Sequence, residues 1–599
     1  MHKTVSPNQT GFIKGRSITD NIMLTQEIVH NINRTSPAGN VVLKLDMTKA
    51  YDRVSWEYLC KVLRQFGFAE RWIDSVWRLI TNVWYSININ GTRHGFFNST
   101  RGIKQGDPLS RSLFIIGAEL FTIMMETLNQ SKFIPFSMDK NGPNISHLCY
   151  ADDTILFSSC DSHSLGLLMS RLGEYEGVSG QLINRNKSGF YVTFKEDDPR
   201  ISLIKGITGF NHCQFPMIYL GCPIYVGRKK IVYFNTMVAK VARRLQGWQG
   251  KLLSYGGKAV LIKSVLQALP LHLLSAVHPP KTALDQIEMI IANFFWGMDG
   301  DRKKKHWSSW NDMSYPVSEG GAGFRSLKDI CNSFSAKLWW RFRTQNSLLR
   351  SFLEAKYCKR FHPVAKKWVY GQSHIWKRLM DSNKMIEPII LWKIGNGEAS
   401  FWWDNWTELG PLARLNIINY IISIEFNLAR KDIPIWTSDP SGKFISKSAW
   451  HIVRRRKGTT LASSKIWHKK IPFRICFFMW RALQNKIPSD DAVKRFGIYL
   501  PSICNCCPIH KIETSQHLLS ESKITTQVWE YFCNTCGIDR VHGKLRMSTM
   551  KWWMDKGKNL VHTCIYSAYQ LLFVGRFGKT GVGPDLKTRR CQLGSSYNK

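Results

Sequence analysis

The sequence is 599 residues long, which exceeds what one hydrophobic core supports and predicts two to four domains. A hydrophobic content of 44% and an aromatic content of 12% exclude an intrinsically disordered chain. With 83 Lys and Arg against 43 Asp and Glu, the formal net charge is +40, which favours polyanions as partners: an anionic membrane surface or, as we prefer, nucleic acid.

The first part of the chain alternates between helix-like and strand-like patterns. Apolar residues recur at helical spacing over 18–32, with hydroxyl residues available to cap the start of a helix. Residues 41–45 form a nearly continuous apolar run, typical of a buried central strand, which ends in Asp46. Ser55 then begins a second helix, whose apolar face consists of Tyr58, Leu59, Val62, Leu63 and Phe66.

The alternation continues to about residue 230. Residues 84–100 predict a hairpin around the tight-turn pair Asn90-Gly91, and Pro108 suits the first position of a long helix. Residues 147–159 are two short apolar runs split by Ala-Asp-Asp, which predicts strand, tight turn and strand. A helix over 161–176 follows. The pattern predicts a mixed α/β domain with acidic residues at strand ends, where ligand sites commonly lie.

The sequence changes character after residue 230. From there to about 440 it is mostly helical, basic and rich in tryptophan, as at 303–307 and 401–403. Most of these tryptophans are expected in the core rather than stacked on bases. Residues 441–535 form a separate cysteine-bearing unit, and the chain after about 560 shows little periodicity.

Two features bear on cellular location. No run of about 18 uncharged apolar residues exists, because Glu119 and Glu126 interrupt the apolar stretch 112–128, and the first ten residues lack the apolar centre of a signal peptide. Fifteen cysteines, an odd number, fit a reducing compartment better than a disulfide framework. We therefore predict an intracellular protein without a membrane span.

Three carboxylates are the strongest candidates for chemistry. Asp46 ends one predicted strand, and Asp152 and Asp153 lie at the tip of a predicted hairpin. If these strands are neighbours in one sheet, the three side chains converge, and such a cluster normally holds divalent cations because unpaired carboxylates repel one another. Two magnesium ions are the arrangement that polymerases use for phosphoryl transfer. The alternative is that Asp-Asp simply suits a hairpin turn.

Six blocks occur in a characteristic order. They are QTGFIKGRSITDNI (9–22), LKLDMTKAYDRVSW (43–56), RGIKQGDPLSRSLF (101–114), YADDTILF (150–157), GQLINRNKS (180–188) and YLGCPI (219–224). This series resembles the reverse transcriptase domain of LINE-type, non-LTR retrotransposons, particularly the plant branch. The similarity continues through NFFWG (293–297) and GGAGFRSLKDICNSFSAKLWWRF (320–342), and it covers about residues 9–535.

The resemblance implies an α/β (α+β) right-hand polymerase fold. Its segments are partial fingers and palm over 1–230, a thumb-like helical region over 231–345, a Trp-rich connecting region over 346–440, a small, mostly helical, degenerate zinc-binding region over 441–535, and a tail without family pattern over 536–599. The implied function is RNA-directed DNA synthesis from an RNA template, a DNA primer and deoxynucleoside triphosphates with two Mg²⁺ ions. The family acts in the nucleus and cytoplasm, and no protein partner is evident.

The resemblance also assigns roles to single residues. Asp46 and Asp152 match the two main magnesium ligands, with Asp153 beside them and the backbone carbonyl of Met47 as a further ligand. Tyr51 matches the aromatic residue that lies under the incoming sugar and excludes a 2′-hydroxyl. The alternative for Tyr51 is an ordinary core aromatic.

Three further residues match the family's contacts to the incoming nucleotide. Gln105 and Gly106 match the loop that contacts this nucleotide, where glycine permits close approach of the backbone. Lys187 matches a lysine near the pyrophosphate, a candidate proton donor to the leaving group. A solvent-exposed lysine is an equally good interpretation of Lys187 from residue type alone.

A zinc site is the second implied metal centre. Cys504 and Cys507 have CxxC spacing, and His517 fits a third ligand. The fourth position, normally cysteine, is occupied by Ser522, whose neutral hydroxyl is a poor zinc ligand. Cys533 or Cys536 are substitutes for it, although no spacing argument selects either.

Other departures from the family pattern bear on activity. The sequence begins at the QTGFIKGR block, so we expect an N-terminally truncated enzyme that lacks the upstream fingers and endonuclease. Arg111 stands where the family usually has proline. We expect the chain alone to bind primer–template and to extend it barely or not at all. The main alternative function is a catalytically inactive remnant that binds nucleic acid non-specifically, and a group II intron maturase is a more distant one.

Overall fold

The computed structural model describes most of the chain. The described residues are 4–34, 38–128, 132–139, 141–248, 253–299, 302–408, 410–414, 430–459, 465–467, 471–499, 501–504, 507, 511–537, 539, 545–547 and 549. They fall into two compact units, the first within Met1–Phe234, His272–Pro280 and Cys331–Val453, and the second within Asn235–Leu271, Lys281–Ile330 and Arg454–Lys599. These units are defined by packing, so the five family segments remain predictions. Residues 551–599 of the predicted tail lie outside the described residues.

The described residues form a mixture of helices and strands. The α-helices are α1 (Ile18–Val29), α2 (Ala50–Arg53), α3 (Trp56–Gln65), α4 (Glu70–Thr81), α5 (Pro108–Thr127), α6 (Ser162–Ser179), α7 (Pro199–Thr208), α8 (Asn235–Gln246), α9 (Tyr255–Leu261), α10 (Leu271–Ala276), α11 (Lys281–Trp296), α12 (Trp310–Met313), α13 (Leu327–Thr344), α14 (Leu348–Leu353), α15 (His374–Ile386), α16 (Ser446–Val453), α17 (Phe473–Leu483), α18 (Asp490–Lys494) and α19 (Lys523–Cys536). The strands are β1 (Asn40–Leu45), β2 (Trp84–Ile89), β3 (Thr92–Asn98), β4 (His147–Tyr150), β5 (Asp153–Ser159), β6 (Gly189–Tyr191), β7 (Asn211–Cys213), β8 (Met217–Tyr219), β9 (Cys222–Ile224), β10 (Met298–Asp299), β11 (Arg302–Lys303), β12 (Ile390–Lys393) and β13 (Ile433–Trp436).

Local sequence signals account for the elements around the sheet. The predicted helices after residues 17, 55, 107 and 161 are confirmed, and each begins with a side chain that accepts a hydrogen bond from a first-turn amide. These capping residues are Ser17, Ser55, Asp107 and Asp161. Such caps satisfy amides that the helix itself leaves unpaired, which explains why the helices begin where they do.

A five-stranded sheet is the centre of the first unit. Its strand order is β4-β5-β1-β6-β7, so the predicted central strand β1 lies between β5 and β6 and is antiparallel to both. One face of the sheet packs against α5, α6 and α7. This core contains Val41, Leu43, Leu45, Phe121, Met125, Leu165, Leu168, Leu172 and Ile204, all buried. Burial of each such side chain stabilises the fold by about 1.5–3 kcal/mol relative to exposure. A one-residue shift of β1 would turn its buried side chains to the other face of the sheet, so their burial fixes the register of β1.

The predicted hairpin is confirmed but lies in solvent. Every residue of β2 and β3 is exposed, and the two strands are held together by stacked pairs: Trp84 with Phe96 at 4.9 Å and Tyr85 with Phe97 at 5.9 Å between ring centroids. The turn contains Asn90 and Gly91, both at positive φ, as the Asn-Gly signal predicts.

The second unit has an aromatic core. Phe477 of α17 contacts Phe295 at 5.2 Å and Tyr255 at 5.4 Å between ring centroids. Trp296 and Trp480 are also buried there, as are Trp339, Trp376 and Trp436 in the first unit. The expectation that most tryptophans belong to the core is therefore supported, although Trp402 is 58% exposed.

Helix α5 is a long, mostly apolar helix. Of the described helices it alone is long and apolar enough to cross a membrane, and 56% of its apolar window is buried inside the fold, as in a core helix.

Candidate active site

The sheet brings the three predicted carboxylates to one end of neighbouring strands. In the antiparallel pairing of β1 with β5, Leu45 lies opposite Thr154. Extending this register by one residue brings Asp46 opposite Asp153, and Asp152 lies in the turn that precedes Asp153. Strands distant in sequence therefore converge as the sequence predicts.

The electrostatics of Asp153 show that these carboxylates act on one another. Its pKa is raised, first by partial loss of solvent contact and then by the negative charge of Asp152. Asp46 raises it further, whereas Lys44 lowers it. A divalent cation relieves this repulsion, and carboxylate oxygens are the ligands that magnesium prefers, so the residues present fit such an ion.

A two-residue turn sets the position of Asp152. Tyr150 pairs with Asp153 across β4 and β5, which leaves Ala151 and Asp152 to make the turn. Ala151 is buried and has a φ of 55°, in the left-handed region that L-residues seldom adopt. The direction of the Asp152 side chain thus depends on an unfavourable backbone conformation one residue earlier.

A short segment before β6 holds the backbone of Asp46. The Asp46 amide donates to Ser188 Oγ at 3.0 Å, and the amide of Asn184 donates to the Asp46 carbonyl at 2.8 Å. Met47 forms an isolated antiparallel bridge to the same segment, and Lys187 lies on it with an exposed side chain. No local sequence signal indicated the roles of Asn184 and Ser188, although both belong to the block that contains Lys187.

Tyr51 lies within reach of the carboxylate cluster. Its ring stacks on Phe114 with centroids 4.8 Å apart and planes 9° from parallel, and it is half-buried. Burial raises the Tyr51 pKa most, followed by the charge of Asp152, while Arg111 lowers it. Arg111 also lies 5.1 Å from the centre of the Phe12 ring. Tyr51 is therefore a half-buried aromatic residue whose hydroxyl group interacts electrostatically with Asp152.

Gln105 and Gly106 lie in the exposed loop that precedes α5. Gly106 has a φ of 89°, a backbone conformation that favours glycine. A Cβ at this position would meet nothing within 4 Å, so the preference does not come from a lack of space. Asp107 accepts a hydrogen bond from the amide of Leu109 at 2.8 Å and caps α5.

The cysteine-bearing region assembles a second candidate metal centre. The ligand atoms of Cys504, Cys507 and His517 all lie within 4.8 Å of one another. Cys507 Sγ is 3.2 Å from His517 Nε2, and the other ring nitrogen of His517 is 3.9 Å from the carboxylate of Glu521. Two thiols and an imidazole suit zinc, so the residues present fit three of the four positions of a structural site.

Among the described residues, no fourth ligand joins Cys504, Cys507 and His517. Ser522 is fully buried, and its hydroxyl caps α19 by accepting from the amide of Thr525 at 3.3 Å. Within the described residues, the group of potential ligands does not include Cys533, and the side chain of Cys536 lies outside them.

Comparison with known families and proteins agrees with this arrangement. Residues 1–224 match the family "Reverse transcriptase (RNA-dependent DNA polymerase)", and residues 444–529 match "zinc-binding in reverse transcriptase". The chain is 22% identical to a putative ribonuclease H protein of Arabidopsis thaliana, over 49% of this chain and 55% of that protein. It is 31% identical to the Pol polyprotein of the type-1 retrotransposable element R2 of Popillia japonica, over 20% of this chain and 19% of that protein.

The chain thus spans about half of the first relative and a fifth of the second. Among solved structures, telomerase from Candida albicans in complex with a TWJ fragment of telomeric RNA is 12% identical, with a TM-score of 0.27 over 55% of this chain and 52% of that one. The matched ranges and the retrotransposon relatives lead to one assignment. The chain contains a reverse transcriptase domain of the LINE (non-LTR retrotransposon) type, followed by the zinc-binding region of reverse transcriptases.

Proposed function

We propose that this chain is the RNA-directed DNA polymerase of a non-LTR retrotransposon and adds deoxynucleotides to a primer 3′-hydroxyl. The observation that carries the proposal is the β1–β5 register, in which Asp46 comes opposite Asp153 with Asp152 in the adjoining turn. In this proposal the five-stranded sheet with its packed helices is the palm of a right-hand polymerase.

Asp46, Asp152, Asp153 and the carbonyl of Met47 would hold two Mg²⁺ ions. When bound, these ions lower the pKa of the attacking hydroxyl and stabilise the leaving pyrophosphate. The protein itself orients the carboxylates through the sheet register and through the hydrogen bonds to the Asp46 backbone. This rigid support keeps the cluster formed in spite of its internal repulsion.

The substrate contacts follow from the residues around the cluster. Tyr51 would lie under the sugar and exclude a 2′-hydroxyl, because its stacking on Phe114 fixes the ring. Gln105 and Gly106 would contact the incoming nucleotide from the loop before α5. Lys187, exposed on the segment that holds Asp46, would donate a proton to the leaving pyrophosphate.

Charge supports nucleic acid as the ligand. A surplus of 40 positive charges attracts an RNA template and a DNA primer through phosphate contacts and release of counterions. In the second unit, Cys504, Cys507 and His517 would hold zinc, which would cross-link the loop that carries the two cysteines to the helical segment that carries His517.

Primer extension tests the proposal. The full chain is incubated with an RNA template, a labelled DNA primer, Mg²⁺ and deoxynucleotides, and compared with Asp152→Asn. Asp197→Asn is the matched control, because Asp197 is exposed and the charge change is identical. We expect extension by the unmodified chain and the control, and a loss of at least about a hundredfold in Asp152→Asn. Primer–template binding without any extension would instead support the inactive-remnant alternative.

A second variant tests the sugar contact. Replacing Tyr51 by Val removes the ring, so incorporation of ribonucleotides relative to deoxynucleotides should rise at least about tenfold. Tyr51→Phe keeps the ring and is the matched control, with unchanged selectivity. If both variants behave like the unmodified chain, Tyr51 is only a core aromatic.

A further inference from the structure

The side chain of Gln9 is hydrogen-bonded to both backbone groups of Ala151. The Ala151 amide donates to Gln9 Oε1 at 3.0 Å, and Gln9 Nε2 donates to the Ala151 carbonyl at 3.3 Å. Oε1 also accepts from the amide of Gly11 at 2.8 Å. Gln9 is 2% exposed, so water does not compete for these bonds. A primary amide is suited to this task because it offers one donor and one acceptor in a single plane.

The segment around Gln9 is itself fixed against β4. The Cys149 amide donates to the Asn8 carbonyl at 2.9 Å, and the Thr10 amide donates to the Cys149 carbonyl at 3.0 Å. The Arg16 guanidinium donates to the Gln9 carbonyl at 2.5 Å. Gln9 is therefore held on a backbone pairing that positions it beside the turn.

Gly11 brings the same segment into close contact with the turn. A Cβ at Gly11 would lie 2.5 Å from the Ala151 nitrogen and 3.2 Å from its Cα, so no larger residue fits without movement. Ala151 adopts a left-handed φ of 55° that an L-residue disfavours, and it precedes Asp152 directly. Gln9 and Gly11 therefore both contact Ala151, whose backbone conformation sets the direction of the Asp152 side chain.

We infer that Gln9 is a positioning residue for Asp152, which holds Ala151 in its left-handed conformation and so keeps the carboxylate cluster formed. The inference rests on the proposed function, since it concerns the use of that same cluster. Gln9 acts through the backbone of Ala151, to which both ends of its side-chain amide are hydrogen-bonded.

Manganese affinity of the full chain, measured by electron paramagnetic resonance, is a readout that does not require activity. We expect Gln9→Ala to weaken Mn²⁺ binding about tenfold, because the unfavourable turn conformation loses its support. Asn21→Ala is the matched control. Asn21 is equally buried, and its side-chain amide donates at 2.8 Å to the carbonyl of Cys149 in β4, the strand before the turn, rather than to Ala151. We expect this control to bind Mn²⁺ normally.

A rescue experiment separates positioning from general stability. Glycine adopts positive φ without penalty, so Ala151→Gly should restore most of the lost Mn²⁺ affinity and kcat in the Gln9→Ala background. Gly11→Ala approaches the turn differently, by steric contact, and should reproduce the loss if Gln9→Ala does not fold. Primer–template Kd should stay unchanged in every variant.

The outcomes distinguish this inference from the proposed function. Equal Mn²⁺ affinity in Gln9→Ala and Asn21→Ala, or no rescue by Ala151→Gly, overturns the role of Gln9 while leaving the polymerase proposal intact. If Asp152→Asn itself leaves Mn²⁺ binding unchanged, the carboxylate site is wrong, and the role of Gln9 falls with it.

Discussion

Glu119 is a buried carboxyl whose ionisation should cost the fold stability at neutral pH. It lies in α5 and is 4% exposed. Its Oε1 accepts from the Ser6 amide at 2.8 Å, whereas Oε2 has no hydrogen-bond partner within the described part of the chain. Burial raises its pKa to about 7; Glu126 adds to the rise, and the Ser6 amide and the charge of Arg16 oppose it.

The sign and size of the effect follow from this shift. The folded chain keeps the Glu119 proton up to about pH 7, whereas the unfolded chain releases it near 4.5, so the folded state binds more protons between these values. Stability from this group is therefore full below about pH 4.5 and is lost as pH rises to about 7. At about 1.4 kcal/mol per pKa unit, the free energy of unfolding falls by about 3 kcal/mol.

Glu119→Gln removes this titration while its Oε1 still accepts from the Ser6 amide. The free energy of unfolding, measured with urea, should match the unmodified chain at pH 5 and exceed it by about 2–3 kcal/mol at pH 8. Glu57→Gln is the matched control, because Glu57 is exposed in α3 and does not contribute to the Glu119 pKa shift. It should show no such pH-dependent gain. A difference between Glu119→Gln and the unmodified chain that does not change between pH 5 and pH 8 would refute the reasoning.

Three further outcomes are expected. Arg343→Leu should lower the free energy of unfolding in urea by about 3–5 kcal/mol, because it leaves the buried carboxylates of Glu387 and Asp404 without their cation. Arg350 is more exposed, so Arg350→Leu should lower this free energy by at most about 1 kcal/mol. Equal losses in the two variants would contradict the reasoning. Asp107→Ala removes the cap of α5, so the free energy of unfolding should fall by about 1 kcal/mol and the Tm should fall with it. An unchanged Tm would show that the cap is dispensable. Affinity for an RNA–DNA duplex should fall by about a thousandfold or more between 50 and 200 mM salt, and a flat response in a binding titration would exclude nucleic acid as the partner.

Short-range patterns were sufficient for much of the fold and for part of the site. Helix caps and apolar periodicity located the helices that surround the sheet, and the Asn90-Gly91 pair located a hairpin. Asp46 and the Asp152-Asp153 pair could be predicted as candidate ligands because Asp46 directly follows β1 and the pair lies where β4 turns into β5. Cys504 and Cys507 could be predicted as candidate zinc ligands because two thiols at CxxC spacing form a local pattern, and the family resemblance added His517.

The sequence by itself thus determined the secondary structure around the candidate site and the family, and it predicted the candidate carboxylates, because caps, periodicity and motifs are properties of neighbouring residues. Only the tertiary structure decided which groups meet across long stretches of chain. Gln9 bonds to Ala151, 142 residues away, and Ser6 bonds to Glu119, 113 residues away. Neither pair carries a local signal, because the loss of water and the left-handed turn that give these contacts their strength exist only once the sheet and α5 have packed.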